Sequence, residues 1–129
     1  MPLKITLKPN EKIYINGAVI KNTDTITNIA IENKDVSILR QKNIMKKKDA
    51  KTYCEHVYYI IQLMYIDRTN LNKYTDEYWS LIRVLIKTVP TLIGIIDNVN
   101  DLIIDKKYYQ ALKETSKLIS IEKEYIKNV

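Results

Sequence analysis

Apolar and polar residues alternate from the start of the chain: Leu3, Ile5 and Leu7 are separated by Lys4, Thr6 and Lys8. This is the period-two pattern of a strand with one buried and one wet face. Pro9-Asn10 breaks the run, and Ile13, Tyr14 and Ile15 resume it. Asn16-Gly17 is the pair favoured by a two-residue hairpin turn with positive φ at both positions. Ala18-Val19-Ile20-Lys21 then returns, so the opening stretch reads as a small meander with lysines projecting from one side. Thr25 to Ile31 carries apolar residues on both faces, and Val36 to Arg40 forms a last strand. Five short strands with closely spaced turns predict a compact twisted sheet or half-barrel. A unit of that size needs bracing, by the rest of the chain or by a second copy.

After Gln41 to Lys48, a polar and basic connector, the period changes. Asp49 is placed to cap a helix whose stripe is Val57, Ile60, Ile61 and Met64, with Tyr53 and Tyr65 at the margins. Asp67 to Asn70 ends that helix and starts a second, striped by Leu71, Tyr74, Tyr78, Leu81, Ile82, Leu85 and Ile86. Pro90 fits the first turn of a third helix carrying Leu92, Ile95, Ile96, Val99, Leu102 and Ile103. Asp105 begins the last, with Tyr108, Tyr109, Leu112, Ile119 and Ile126 turned inward. Short connections make neighbouring helices antiparallel. The expected fold is α+β: a small N-terminal antiparallel β unit over residues 1–48, then a bundle of about four helices over residues 49–129.

At 46% apolar and 28% charged residues the composition is globular. No run approaches the ~20 apolar residues that cross a bilayer, and the start does not read as a secretory signal. Cys54 is the only cysteine, which fits a reducing compartment, so a cytoplasmic protein without a membrane partner is expected. Phe is absent while Ile, Lys, Asn and Tyr abound, all encoded by A/T-rich codons, so the number of lysines reflects genome composition. Their distribution does not. Residues 1–48 hold ten Lys or Arg against four acids, and residues 49–129 hold eleven of each sign. Local positive charge of this kind is the footprint of a polyanion partner, most often nucleic acid.

The residue types argue against an enzyme. His56 and Cys54 are two apart and fall on different sides of a helix. A zinc site would need three or four ligands, and with only Gly17 and Gly94 there is no phosphate loop. No catalytic residue, metal or cofactor is expected. Lys46, Lys47 and Lys48 read either as a solvated linker or as a phosphate clamp beside the sheet. Arg40 is more specific, because its planar fork can bind a phosphate or a base edge through two bonds. Tyr14 is the only aromatic residue in the strands.

Four blocks carry a resemblance over nearly the whole chain. They are Lys8 to Ile20, Ile38 to Met45, Tyr58 to Asp67, and Tyr108 to Lys113. In this order they are similar to the FlbT family of alphaproteobacterial flagellum biosynthesis repressors, with Asn10 standing where that family usually has Gly. The resemblance implies a cytoplasmic post-transcriptional regulator acting on the untranslated leader of flagellin messenger RNA, together with a partner protein, FlaF. More loosely, residues 3–45 resemble the carbon storage regulator CsrA, a five-stranded RNA-binding protein that forms a strand-exchanged dimer. Its Thr-Arg-Arg-x-Gly-Glu pattern corresponds to Thr6-Leu7-Lys8-Pro9-Asn10-Glu11, with Leu7 in place of one arginine. That likeness implies RNA contacts at Lys8 and Arg40 and a homodimer through the β unit.

Two functions are therefore expected of different parts. The β face binds flagellin-leader RNA through Lys4, Lys8, Lys12, Arg40, Lys42, Lys46, Lys47 and Lys48, with Arg40 reading a base. Alternatively, the bundle is an adaptor that grips flagellin or FlaF by a surface around Tyr58, Tyr65 and Tyr109.

Overall fold

A computed structural model describes residues 3–127. The chain forms two compact units that divide between Ile44 and Met45.

The first unit holds five strands: β1 (Leu3–Leu7), β2 (Lys12–Ile15), β3 (Ala18–Lys21), β4 (Thr27–Ile31) and β5 (Ile38–Arg40). They make two antiparallel sheets, β1-β4 and β3-β2-β5, and not one meander. Only β2 and β3 form the expected hairpin, with Asn16 at φ 47° and Gly17 at φ 99° in its turn. Asn10, at φ 62°, turns the chain out of β1's sheet, so β1 pairs with β4 and not with its neighbour β2. The inward residues of both sheets meet: Ile5, Leu7 and Ile13 are buried, and Ile15, Ile29, Ile31 and Ile38 pack against them.

One buried side chain ties the strand ends. The Asn22 Nδ2 donates to the carbonyls of Leu7 (3.2 Å), Lys8 (2.9 Å) and Thr25 (2.8 Å). Its Oδ1 accepts from the Thr23 amide and the Thr27 hydroxyl, while its own amide donates to Glu11 O. The end of β1 and the starts of β2 and β4 thus share one hub, with the polar groups of the turns satisfied inside it.

The second unit contains α1 (Tyr53–Ile66), α2 (Leu71–Thr88), α3 (Ile93–Ile104) and α4 (Tyr108–Lys127). Helix α1 packs against α2 and α4, and α3 packs against α4. Three expectations are corrected here. The N-cap of α1 is Thr52, not Asp49: Glu55 N donates to Thr52 Oγ1 at 3.2 Å and Thr52 N to Glu55 Oε1 at 3.1 Å, a reciprocal capping box. Asp105 closes α3 rather than opening α4, because Lys106 adopts φ 60° and the amides of Asp105, Lys106 and Lys107 bond back to the last carbonyls of α3. The inner face of α4 is Tyr108, Ala111, Leu112, Thr115 and Leu118, whereas Tyr109 and Ile126 are exposed. The Thr115 hydroxyl is satisfied by the Ala111 carbonyl, which lets a polar residue occupy the core. Pro90 sits in a single 3-10 turn, Pro90–Leu92, that leads directly into α3. No single helix among the described residues is long and apolar enough to cross a membrane.

Candidate nucleic-acid interface

Alternation decides where the cations of the β unit go. Ile5 and Leu7 face the other sheet, so Lys4 and Thr6 stand on the outer face of β1-β4, where Thr6 Oγ1 donates to Asn28 Oδ1. Ile13 faces inward in β2, which puts Lys12 and Tyr14 on the outer face of β3-β2-β5. Lys4 and Lys12 therefore lie on outer faces of different sheets, and the lysines do not share one side.

The strand ends, however, do gather charge. Lys12 opens β2 and Lys21 closes β3, directly opposite each other. Lys8 follows β1, and Arg40 closes β5 opposite Ile13. Lys42 comes two residues later in a 3-10 turn, Gln41–Asn43. These five cations occupy the end of the unit organised by Asn22, with Glu11 among them and Asp24 in the adjoining turn. The four lysines are exposed. The pair Lys12–Lys21 places like charges face to face, an arrangement that destabilises a sheet unless an anion lies over it. Lys21 was not among the sequence candidates. Its signal was present nonetheless, since the two-residue Asn16-Gly17 turn fixes the register that opposes residues 12 and 21.

Arg40 lies on the inward face of its strand, and its head emerges between the two sheets. Its Nη1 donates to both oxygens of Glu11, at 3.1 and 3.0 Å, and to the Thr6 carbonyl at 3.2 Å. The Lys8 amide donates to Glu11 Oε1 at 3.0 Å. That amide, then the Arg40 guanidinium, hold the Glu11 carboxyl below the ordinary carboxylate range, against the opposing effect of burial.

Lys46, Lys47 and Lys48 belong to the helical unit and are exposed. They are not a free linker. The buried Gln62 of α1 pins both backbone groups of Met45, and Lys47–Asp49 forms a 3-10 turn before the Thr52 cap. The excess charge is consequently shared: the first unit carries seven Lys or Arg against four acids, the second fourteen against eleven.

The three tyrosines of the adaptor surface do come together, along the seam of α1 and α4. Tyr65 and Tyr109 are tilted at 6.0 Å between ring centres, and Lys113 sits 4.9 Å from the Tyr109 ring. Tyr58, at 7% exposure, is core and is unavailable to a partner. A groove of about 550 Å³ lies elsewhere on this unit, lined by residues that include Tyr53, His56, Leu85, Val89, Tyr125 and Ile126. Cys54 is buried, and desolvation together with the Glu122 carboxylate pushes its thiol up to about 12. Glu122 of α4 accepts from the Cys54 amide in the first turn of α1, at 3.3 Å.

The family model "Flagellar protein FlbT" matches residues 3–126. The chain is 37% identical to "Probable flagellum biosynthesis repressor protein FlbT 1" of Bradyrhizobium diazoefficiens, covering 95% of this chain and 83% of the relative. It is 36% identical to a similarly named FlbT of Rhodopseudomonas palustris, covering 98% of both. Against "Flagellum biosynthesis repressor protein FlbT" of Caulobacter vibrioides the identity is 33%, over 100% of this chain and 92% of the relative. No solved structure gives a significant match. With the family match spanning nearly all of the sequence and full-length relatives above 30% identity, the chain belongs to the FlbT family of flagellar proteins.

Proposed function

We propose that this protein regulates flagellum biogenesis after transcription, binding the 5′ untranslated leader of flagellin messenger RNA in the cytoplasm and controlling its translation or stability. Family membership and the repressor names of its relatives support the flagellar role. The observation that carries the RNA reading is the cationic end of the β unit, where Lys12 and Lys21 stand opposite each other, Lys8 adjoins the Asn22 hub, and Arg40 closes β5 with Lys42 in the turn that follows. Lysines there hold phosphates, and Arg40 supplies the directional contact. The protein itself performs no chemistry; it blocks a ribosome site or brings decay machinery to the message. Electrophoretic or fluorescence titration with flagellin-leader RNA tests this. About four phosphates contacted on a single strand give a slope of roughly −3 in log affinity against log salt. Binding that ignores salt, or none at all, would overturn the reading.

A second reading, an adaptor for flagellin or FlaF, has its support in the groove beside Tyr53 and Tyr125 rather than in the Tyr58 seam. A complex with flagellin that survives nuclease and 0.5 M salt (roughly a 4 Å Debye length) would favour it. The homodimer expected through the β unit has support at β3, an outer strand exposed along its length, with Val19 69% exposed.

A further inference from the structure

We propose that Glu11 is a positioning residue, which with the Thr6 carbonyl turns Arg40 from a mobile cation into a fixed two-donor fork; this rests on the RNA reading above. The fork takes two adjacent acceptors, either the oxygens of one phosphate or the O6 and N7 of a guanine.

A guanidinium carries five N–H groups, two of them on Nη1. Those two are spent on three acceptors: Glu11 Oε1, Glu11 Oε2 and Thr6 O. Glu11 is itself held by the Lys8 amide, so the chain of bonds runs from the turn after β1, through Arg40, and back to β1. Nε and Nη2 donate to no described residue, and the Arg40 side chain is 32% exposed. The edge left open is the one that meets paired acceptors side by side. Ordering it in the free protein removes a rotamer cost from binding.

A plain staple between the sheets is the competing account. A partly exposed ion pair contributes little to stability, and that role leaves the open edge unexplained. Charge separates the two accounts further. A carboxylate set among five cations weakens their pull on a polyanion, so a site acting only through its field gains from losing it. A site that needs Arg40 held in place loses instead.

The test uses the full chain and two single-stranded RNAs of 12 nucleotides (about one module's footprint), one containing guanines and one with each guanine replaced by adenine. Glu11→Gln, Arg40→Ala and the double variant are compared at fixed salt, with thermal melts to establish folding. Glu11→Gln should weaken binding at least about fivefold although it removes a negative charge. In the Arg40→Ala background the same change should tighten binding, because only the charge effect remains. Loss confined to the guanine RNA identifies a base edge; equal loss on both identifies a phosphate. Tightening by Glu11→Gln when Arg40 is present, or weakening in both backgrounds, overturns the positioning role while leaving RNA binding intact. If the unsubstituted chain binds neither RNA, the RNA reading falls and the positioning role falls with it.

Discussion

The buried amide of Gln62 pairs with both backbone groups of Met45: Met45 N donates to Oε1 at 2.8 Å, and Nε2 donates to Met45 O at 2.9 Å. A helix side chain here plays the part of a neighbouring strand, fixing an extended segment to α1 immediately before three lysines. Gln62→Met keeps the volume and removes both partners. Stability should fall by about 1–2 kcal/mol, since one half-buried backbone donor and one acceptor are left unmade. Urea denaturation measures this, and the Met45 amide should exchange faster. An unchanged midpoint with unchanged exchange would show that water replaces the pin at no cost.

Opposed Lys12 and Lys21 make two predictions of opposite sign. Lys12→Gln relieves a like-charge contact, so the free protein should become slightly more stable, by a few tenths of a kcal/mol. The same change should weaken leader-RNA binding and lower the salt slope by about 0.7. Lys21→Gln should do the same on both counts. A variant that is both less stable and equally tight on RNA would contradict the assignment of this pair to a phosphate.

Asp67 closes α1 and collects the next turn: Thr69 N, Thr69 Oγ1, Asn70 Nδ2 and Tyr74 Oη all donate to its carboxylate. These bonds, those from Thr69 first, hold its pKa at about 2 against an ordinary value of 3.8. The native state favours the ionised form, so the stabilisation is complete above the ordinary value and is lost as pH falls toward 2. Asp67→Asn should therefore be destabilised at neutral pH, with the gap to the native sequence closing in acid over that window. Parallel acid titrations by circular dichroism check it; a constant gap would remove Asp67 from the pH response.

Cys54 is fully enclosed and its thiol is pushed up to about 12, so almost no thiolate exists at neutral pH. Alkylation by iodoacetamide should proceed only through opening of the helical unit. The rate should therefore rise with urea in step with unfolding, whereas fast labelling of the folded chain would show that the α1–α4 seam opens locally.

Local patterns carried much of this structure. Period two gave β1, Asn16-Gly17 gave the β2–β3 hairpin with its register, and the apolar stripes gave α1 to α3. Cap positions were legible in principle, since Thr52-x-x-Glu55 is a capping box, yet Asp49 competes with it when read alone. The phase of α4 was harder to read because Ala111 and Thr115, small or polar, are the residues that permit close packing.

The sequence by itself determined which residues are cationic, and that their excess over acids crowds toward the first 48 positions. It did so because charge and side-chain alternation are properties of short stretches. Only the tertiary structure decided which of them lie together. Strand pairing over long separations, β1 with β4 and β2 with β5, sends Lys4 to one sheet and brings Lys12, Lys21 and Arg40 to a common end. It also sets the Arg40 guanidinium against Glu11, 29 positions earlier, a contact that no local pattern encodes.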